Sequence, residues 1–154
     1  MIDPPALTLG EESPGPADLP TLNALIERAI GSWAVTERVK RAALPSYRYE
    51  ALDLADMRFF TLRDERGAPV GLAAVSPLDG AQDALLLHGL YVDPIRHRQG
   101  LGRRLLQSAE AAARQAGAAR LVVRAQRDAA PFFAAAGYRP ADGDYPYTLN
   151  KAFH

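Results

Sequence analysis

Leu90-Tyr91-Val92-Asp93-Pro94-Ile95-Arg96-His97-Arg98-Gln99-Gly100-Leu101-Gly102-Arg103-Arg104-Leu105-Leu106 reads as an apolar strand running into a basic, glycine-containing turn that opens a long helix. Four arginines and one histidine fall between positions 96 and 104, with no acid among them. Gly100 and Gly102 let the backbone approach a ligand without side-chain obstruction. The helix that starts there offers orphan N–H groups and the positive end of its dipole. Together these make an anion site, most naturally for a pyrophosphate. A charge run at a helix start is commonly just a solvated face. Here it coincides with two glycines and a buried strand upstream, which favours the ligand reading.

Working outward, the helix runs from Gly100 to Ala116, with Leu101, Leu105, Ala109, Ala112 and Ala116 spaced for one buried face and Gly117 as its C-terminal stop. Leu121-Val122-Val123 is a short buried strand, and Ala129 to Ala136 a short helix that Asp128 can cap. Tyr138 and the segment Tyr145 to Leu149 begin two final strands. Upstream, Met57 to Arg63, Val70 to Ser76 and Ala84 to Val92 are strand candidates; Asp64 to Pro69 joins the first two as a hairpin turn and Pro77 to Asp83 separates the last two. Ala6 to Leu9 reads as a first strand, followed by a link from Gly10 to Pro20 with three prolines and two glycines. Asp18 can cap a helix to about Gly31 whose buried face is Leu22, Leu25, Ile26 and Ala29, and Thr36 caps a shorter helix expected to stop before Pro45. The order β-α-α-β-β-β-α-β-α-β-β implies an α/β fold with a mixed sheet of six or seven strands and helices on both faces.

Length and composition bound the function. A chain of 154 residues has room for one ordinary domain, spanning 1–154, and is too short for a TIM barrel. Its 18 basic side chains are balanced by 18 acidic ones, which argues against a globally cationic nucleic-acid binder. With no cysteine there are no disulfides, zinc-thiolate sites, iron–sulfur clusters or cysteine nucleophiles, and no metal is expected. Met1-Ile2-Asp3-Pro4-Pro5 does not look like a secretory signal, and no apolar run approaches the roughly 18–20 residues that span a bilayer. A cytoplasmic location without membrane attachment is the expectation. Only two of the 18 basic residues are lysine, a bias expected of a GC-rich bacterial genome.

The glycine turn lacks the lysine of a P-loop and the third glycine of a Rossmann turn, since position 105 is leucine. It fits Q/R-x-x-G-x-G/A, with His97-Arg98-Gln99-Gly100-Leu101-Gly102 in the window. In this the sequence resembles the GNAT superfamily of acyl-CoA-dependent N-acyltransferases. The resemblance spans nearly the whole chain. Leu90-Tyr91-Val92-x-Pro94 matches the family's fourth strand and Phe132-Phe133-Ala134-Ala135-Ala136-Gly137-Tyr138 its F-Y-x-x-x-G-F ending. There are departures: His97 replaces glutamine or arginine, Gln126 stands for the asparagine after strand five, and Phe133 replaces a tyrosine that often protonates the departing thiolate.

The resemblance implies acetyl-CoA as cofactor, held along Leu90, Tyr91 and Val92, over His97, Arg98, Gln99, Gly100, Leu101, Gly102, Arg103 and Arg104, and against Gln126, Phe132 and Phe133. Gly89, inside an apolar strand, is either a point of close packing or a bulge that splays the strand from its neighbour and leaves backbone for pantetheine amides. His88 beside it is a candidate general base, although a lone strand histidine is as commonly a core residue. Among Tyr91, Tyr138, Tyr145 and Tyr147, Tyr138 is named as a candidate acid; each alone is more often packing. Trp33, Tyr47 and Tyr49 lie where the family shapes its acceptor pocket.

The expected activity is therefore transfer of an acetyl group from acetyl-CoA to a primary amine by direct attack, with the acceptor a small molecule rather than a protein. Neither nucleic acid nor membrane is expected as a partner, and the resemblance leaves room for a homodimer. Two other readings stand beside it: a catalytically silent acyl-CoA sensor, which Phe133 makes conceivable, and a nucleotide-phosphate binder using the same turn.

Overall fold

The computed structural model describes residues 6–142 and 147–153; the N-terminal residues discussed above and Tyr145 lie outside them. In chain order the elements are β1 (Thr8–Glu12), α1 (Leu19–Gly31), α2 (Glu37–Tyr47), α3 (Ala51–Asp56), β2 (Arg58–Arg63), β3 (Pro69–Leu78), β4 (Ala81–Val92), α4 (Leu101–Gln115), β5 (Arg120–Arg124), α5 (Ala130–Ala135), β6 (Arg139–Pro140) and β7 (Thr148–Ala152), with short 3-10 turns at Pro16–Asp18, Pro94–Arg96 and Arg127–Ala129. The strands form one seven-stranded sheet in the order β1-β2-β3-β4-β5-β7-β6. β4 and β5 are parallel, and every other pair is antiparallel.

The central strand β3 is buried from Pro69 to Ser76, so it reads as a continuous run, Val70-Gly71-Leu72-Ala73-Ala74-Val75, rather than an alternating one. Its side chains go alternately to two cores. On one face, Ala73 and Val75 join Phe60, Leu62 and Leu87 beneath α4, which contributes Leu101, Leu105, Ala109 and Ala112. On the other, Leu72 and Ala74 join Phe59 and Tyr91 beneath α1, which contributes Leu22, Leu25, Ile26 and Ala29. Each fully buried leucine stabilises the fold by about 1.5–3 kcal/mol relative to exposure. Both helix faces are those that the 3.6-residue period predicts, except that Ala116 is exposed just past the end of α4. The β2–β3 hairpin is held by Asp64, whose carboxylate accepts from the N–H groups of Arg66 (2.9 Å) and Ala68 (3.0 Å).

Local expectations are corrected at several points. β1 runs through Gly10-Glu11-Glu12, because Arg58 and Arg63 on β2 reach across to Glu11 and Glu12 with paired bonds of 2.8–3.2 Å. β3 and β4 extend toward each other, leaving only Asp79 and Gly80 between their neighbouring ends. Asp18 does not cap α1; its carboxylate instead accepts from the Gly15 N–H (2.8 Å). Asp128 does not cap α5, which begins one 3-10 turn later at Ala130. α2 does not stop before Pro45. The proline removes one helical hydrogen bond near the end, and the Arg48 N–H donates to the Leu44 carbonyl (3.1 Å) beyond it. α3 has no counterpart in the sequence reading. At six residues it is too short to show a period, and Asp53 closes its first turn by accepting from the Glu50 N–H (2.7 Å).

Candidate active site

The site is made by the way β4 leaves its neighbours. β4 pairs with β5 from Ala84 opposite Arg120 to Leu87 opposite Val123, and there the pairing stops. On its other side β4 stays paired with β3, but Val75 faces Leu87 and Ala74 faces Gly89, so His88 is the extra residue of a bulge. From His88 to Val92 the strand therefore has β3 on one side and an opening on the other. The glycine at the bulge is required by close approach. A Cβ at Gly89 would overlap the Tyr49 hydroxyl and lie 2.6 Å from Cε2 of Tyr91.

The open strand leads directly to α4. Asp93 ends β4, its carboxylate accepting from the Ile95 N–H (3.2 Å) and from Nε of Arg28 on α1 (3.0 Å), which anchors the turn to the core. Arg98 adopts φ 66° and Gly100 φ 74°, two left-handed residues that turn the chain into the helix. The first helical bond at this end is from the Arg104 N–H to the Gly100 carbonyl (3.2 Å), which leaves the N–H groups of Leu101, Gly102 and Arg103 without an intrahelical acceptor. No side chain caps this end. A Cβ on Gly102 would meet nothing closer than the Phe132 ring, at 3.5 Å.

Two adjoining cavities follow this path. One, of about 640 Å³, lies at the bulge and is lined by Leu87 to Tyr91, by Val123 to Ala129 on the β5 side, and by Trp33 and Tyr47 from the helical side. The other, of about 580 Å³, runs over Leu90, Tyr91 and Val92 to His97, Arg98, Gly100, Leu101, Gly102 and Arg103, with Phe132 and Phe133 opposite. They share Ser32, Trp33, Leu90, Tyr91, His97, Ala129 and Phe133. The Trp33 and Tyr47 rings meet edge to face at 5.4 Å, and the Gln126 amide donates to the Tyr47 hydroxyl, so α2 and the loop after β5 are joined across the first cavity.

The structure thus brings together most of the residues singled out from sequence, and sets five apart. Gln99 and Arg104 line neither cavity. Arg104 is two residues past Gly102, about 200° around the helix, and faces away. Tyr49 is buried in the core beneath Gly89 rather than in a cavity wall. Tyr138 is buried with Phe133, and its hydroxyl donates to the Glu110 carboxylate (2.8 Å) while Lys151 lies 3.3 Å from the same carboxylate. Burial and that hydrogen bond push its pKa well up, so the phenol holds its proton against Glu110. Tyr138→Phe should leave turnover unchanged and lower stability by about 1–3 kcal/mol, the cost of a buried bond to a charged acceptor. A thermal melt beside a rate assay checks this. Tyr147 is exposed, at 38%, and lines neither cavity.

His88 points into the first cavity, with its ring 5.8 Å from that of Tyr49. Desolvation lowers its pKa from the ordinary 6.5; Asp53 pulls it up and Arg124 pushes it down. It is therefore neutral, and able to accept a proton, at pH 7. Sequence reading missed Ser32, Ala34, Val35 and Arg127 as cavity residues, and the Arg28–Asp93 pair. The loop after α1 carries no motif, and the pair spans 65 positions.

A splayed strand feeding an uncapped helix N-terminus, on a mixed sheet covered on both faces, matches the acyl-CoA N-acyltransferase fold. The chain belongs to the acetyltransferase (GNAT) family, whose model matches residues 23–138. Comparison with curated proteins gives no match. Among solved structures, the chain is similar to the PaiA N-acetyltransferase from Thermoplasma acidophilum in complex with coenzyme A (15% identity, TM-score 0.78, covering 95% of this chain and 99% of that one). It is also similar to a GCN5-related N-acetyltransferase from Rhodopseudomonas palustris (25%, 0.74, 99% and 98%). A GNAT family acetyltransferase from Brucella melitensis in complex with acetyl-CoA has the same fold (20%, 0.68, 96% and 89%).

Proposed function

We propose that the chain is a single N-acetyltransferase domain, working in the cytoplasm, that transfers an acetyl group from acetyl-CoA to a primary amine on a small molecule. The observation that carries this reading is the continuity of the cavity from the His88 bulge, along the unpaired edge of β4, to the free N–H groups at the start of α4. The residues fit the cofactor chemically. The N–H groups of Leu101, Gly102 and Arg103, with His97, Arg98 and Arg103 beside them, suit a pyrophosphate. Unpaired β4 backbone suits the amides of a pantetheine chain. Two relatives of the same fold were crystallised with coenzyme A or acetyl-CoA.

In this reading His88 accepts the proton that an alkylammonium acceptor, with a pKa near ~10.4, must lose before it attacks. A β4 backbone N–H at the bulge stabilises the oxygen that becomes negative as the amine adds to the carbonyl carbon. The carbon–sulfur bond then breaks, CoA leaves as the thiolate, and the nitrogen gives its remaining extra proton to solvent, leaving the neutral amide. Neither Phe133 nor the Glu110-bound Tyr138 donates a proton to it. With no cysteine in the chain, no thioester to the enzyme intervenes. Thiol release from acetyl-CoA against a broad panel of small amines tests the reading, and release with at least one amine is the expected result. Acetyl-CoA binding without release from any amine would favour the sensor. ATP binding without CoA binding would favour a nucleotide-phosphate site.

A further inference from the structure

The cavity at the bulge is charged on one wall only. Its helical wall, Ser32 to Val35 with Tyr47, carries no charge, whereas the wall that follows β5 holds Arg124, Arg127 and Asp128. Apart from the two histidines, these are the ionisable acids and bases among the described residues that line it. Two guanidinium groups against one carboxylate leave that wall net positive.

Arg124 stands beside His88 for a reason of strand geometry. The last parallel pair of β4 and β5 is Leu87 with Val123, so His88 and Arg124 are the next residues along the two strands. Paired strands lie about 4.8 Å apart. Val123 packs in the core beneath α4, so the side chain of Arg124, one residue on, leaves from the opposite face. The His88 ring lies on that same face, beside Tyr49 of the core beneath α1. The two groups are close enough to interact: the Arg124 charge is one of those that hold the His88 pKa down. Arg127 follows three positions later, in the turn that continues the same wall.

An ammonium group that gives its proton to His88 therefore does so next to a guanidinium on the adjoining strand. This repels a plain alkylammonium, and a diamine would bring a second positive charge against Arg124 and Arg127. A carboxylate on the same molecule reverses the sign, because a guanidinium binds it through two parallel N–H bonds. We propose that the acceptor is a small amino acid, its amine at His88 and its carboxylate on Arg124, with Arg127 as the second cation of the wall. The proposal rests on the acyl-transfer reading above, and it names the class of amine within it.

The test measures thiol release from acetyl-CoA by the full chain with glycine, β-alanine and γ-aminobutyrate. Each is set beside the alkylamine and the diamine of equal carbon count. At least one aminocarboxylate should exceed its alkylamine in kcat/KM by about 10–10²-fold, through a lower KM, as expected for a charge-assisted pair. The diamine should be the poorest of its set. In Arg124→Gln the ratio of aminocarboxylate to alkylamine should fall toward unity, with KM for acetyl-CoA nearly unchanged. Arg124→Lys should keep part of the ratio, and Arg124→Glu should place the diamine above the aminocarboxylate. Each ratio is taken within one protein, so a loss of folded enzyme or a slower chemical step common to all amines does not move it. A wild-type ratio near unity would overturn the proposal, as would a preference that survives both Arg124→Gln and Arg124→Glu. Release confined to amines without a carboxylate overturns it too, and leaves acyl transfer standing. Release with no amine of the broad panel defeats the acyl-transfer reading as well.

Discussion

Gly102→Val should remain folded and bind acetyl-CoA about 10²-fold more weakly than the wild type. The fold has room for the change: the new Cβ would stand 3.5 Å from Phe132 and 3.9 Å from Val92, ordinary contact distances, and valine costs a helix no more than the glycine it replaces. The cavity loses what the fold does not. Leu101, Gly102 and Arg103 line the cavity together, and a side chain at position 102 would stand among their N–H groups, near Phe132 and Val92. A branched side chain there holds a phosphate away from its donors. Losing two charge-assisted bonds at about 1.5 kcal/mol each accounts for the expected factor. Gly102→Ala should give a smaller loss of the same kind. Arg103→Ala should cost less still, since the phosphates share His97, Arg98 and the backbone groups. Calorimetric titration with acetyl-CoA, beside a thermal melt, reads both quantities. An unchanged dissociation constant in a well-folded Gly102→Val protein would remove the anion site from the start of α4.

The uncapped start of α4 and its basic turn were legible in the sequence because they are local. A strand, a basic turn and two glycines stand within seventeen consecutive residues, and the donors are backbone groups whose direction follows from helix geometry. The bulge was legible for a similar reason, since Gly89 is an interruption visible within one apolar strand. What escaped reading depends on residues distant in the chain. Tyr138, named as a candidate acid, has its hydroxyl engaged by Glu110, 28 positions earlier on α4. Nothing near Gln126 announces that its amide meets Tyr47, 79 positions away. The insertion of β7 between β5 and β6 likewise follows from the long-range pairing of Leu121 with Lys151 and of Arg139 with Asn150. The shorter errors have a common cause too. Asp18 can satisfy either the start of α1 or the turn at Gly15, and sequence alone does not rank two acceptable acceptor roles for one carboxylate.

Replacing His88 should lower kcat by about 10²–10⁴ while leaving acetyl-CoA affinity nearly unchanged, the range expected for loss of a general base. The bulge sets its ring in the cavity at the point where β4 parts from β5, away from the α4 donors that would hold the cofactor. Because desolvation depresses its pKa below 6.5, the wild-type rate should be insensitive to this group at neutral pH and fall only as pH drops into the more acidic range. The same depression gives a sign for stability. The unfolded chain binds the proton more readily than the folded one, so His88 makes the fold less stable as pH falls below about 6.5. His88→Gln should therefore lose the acidic limb of both curves. In the variant the rate deficit should shrink as pH rises toward ~10, where the acceptor amine sheds its proton without help. A packing histidine gives a different pattern, with a large fall in melting temperature and a rate loss of equal size at every pH. Measuring kcat for His88→Gln and His88→Ala from pH 6 to 9.5, beside their melting temperatures, separates the two. A pH-independent loss accompanied by a lowered melting temperature would end the assignment of His88 as the base.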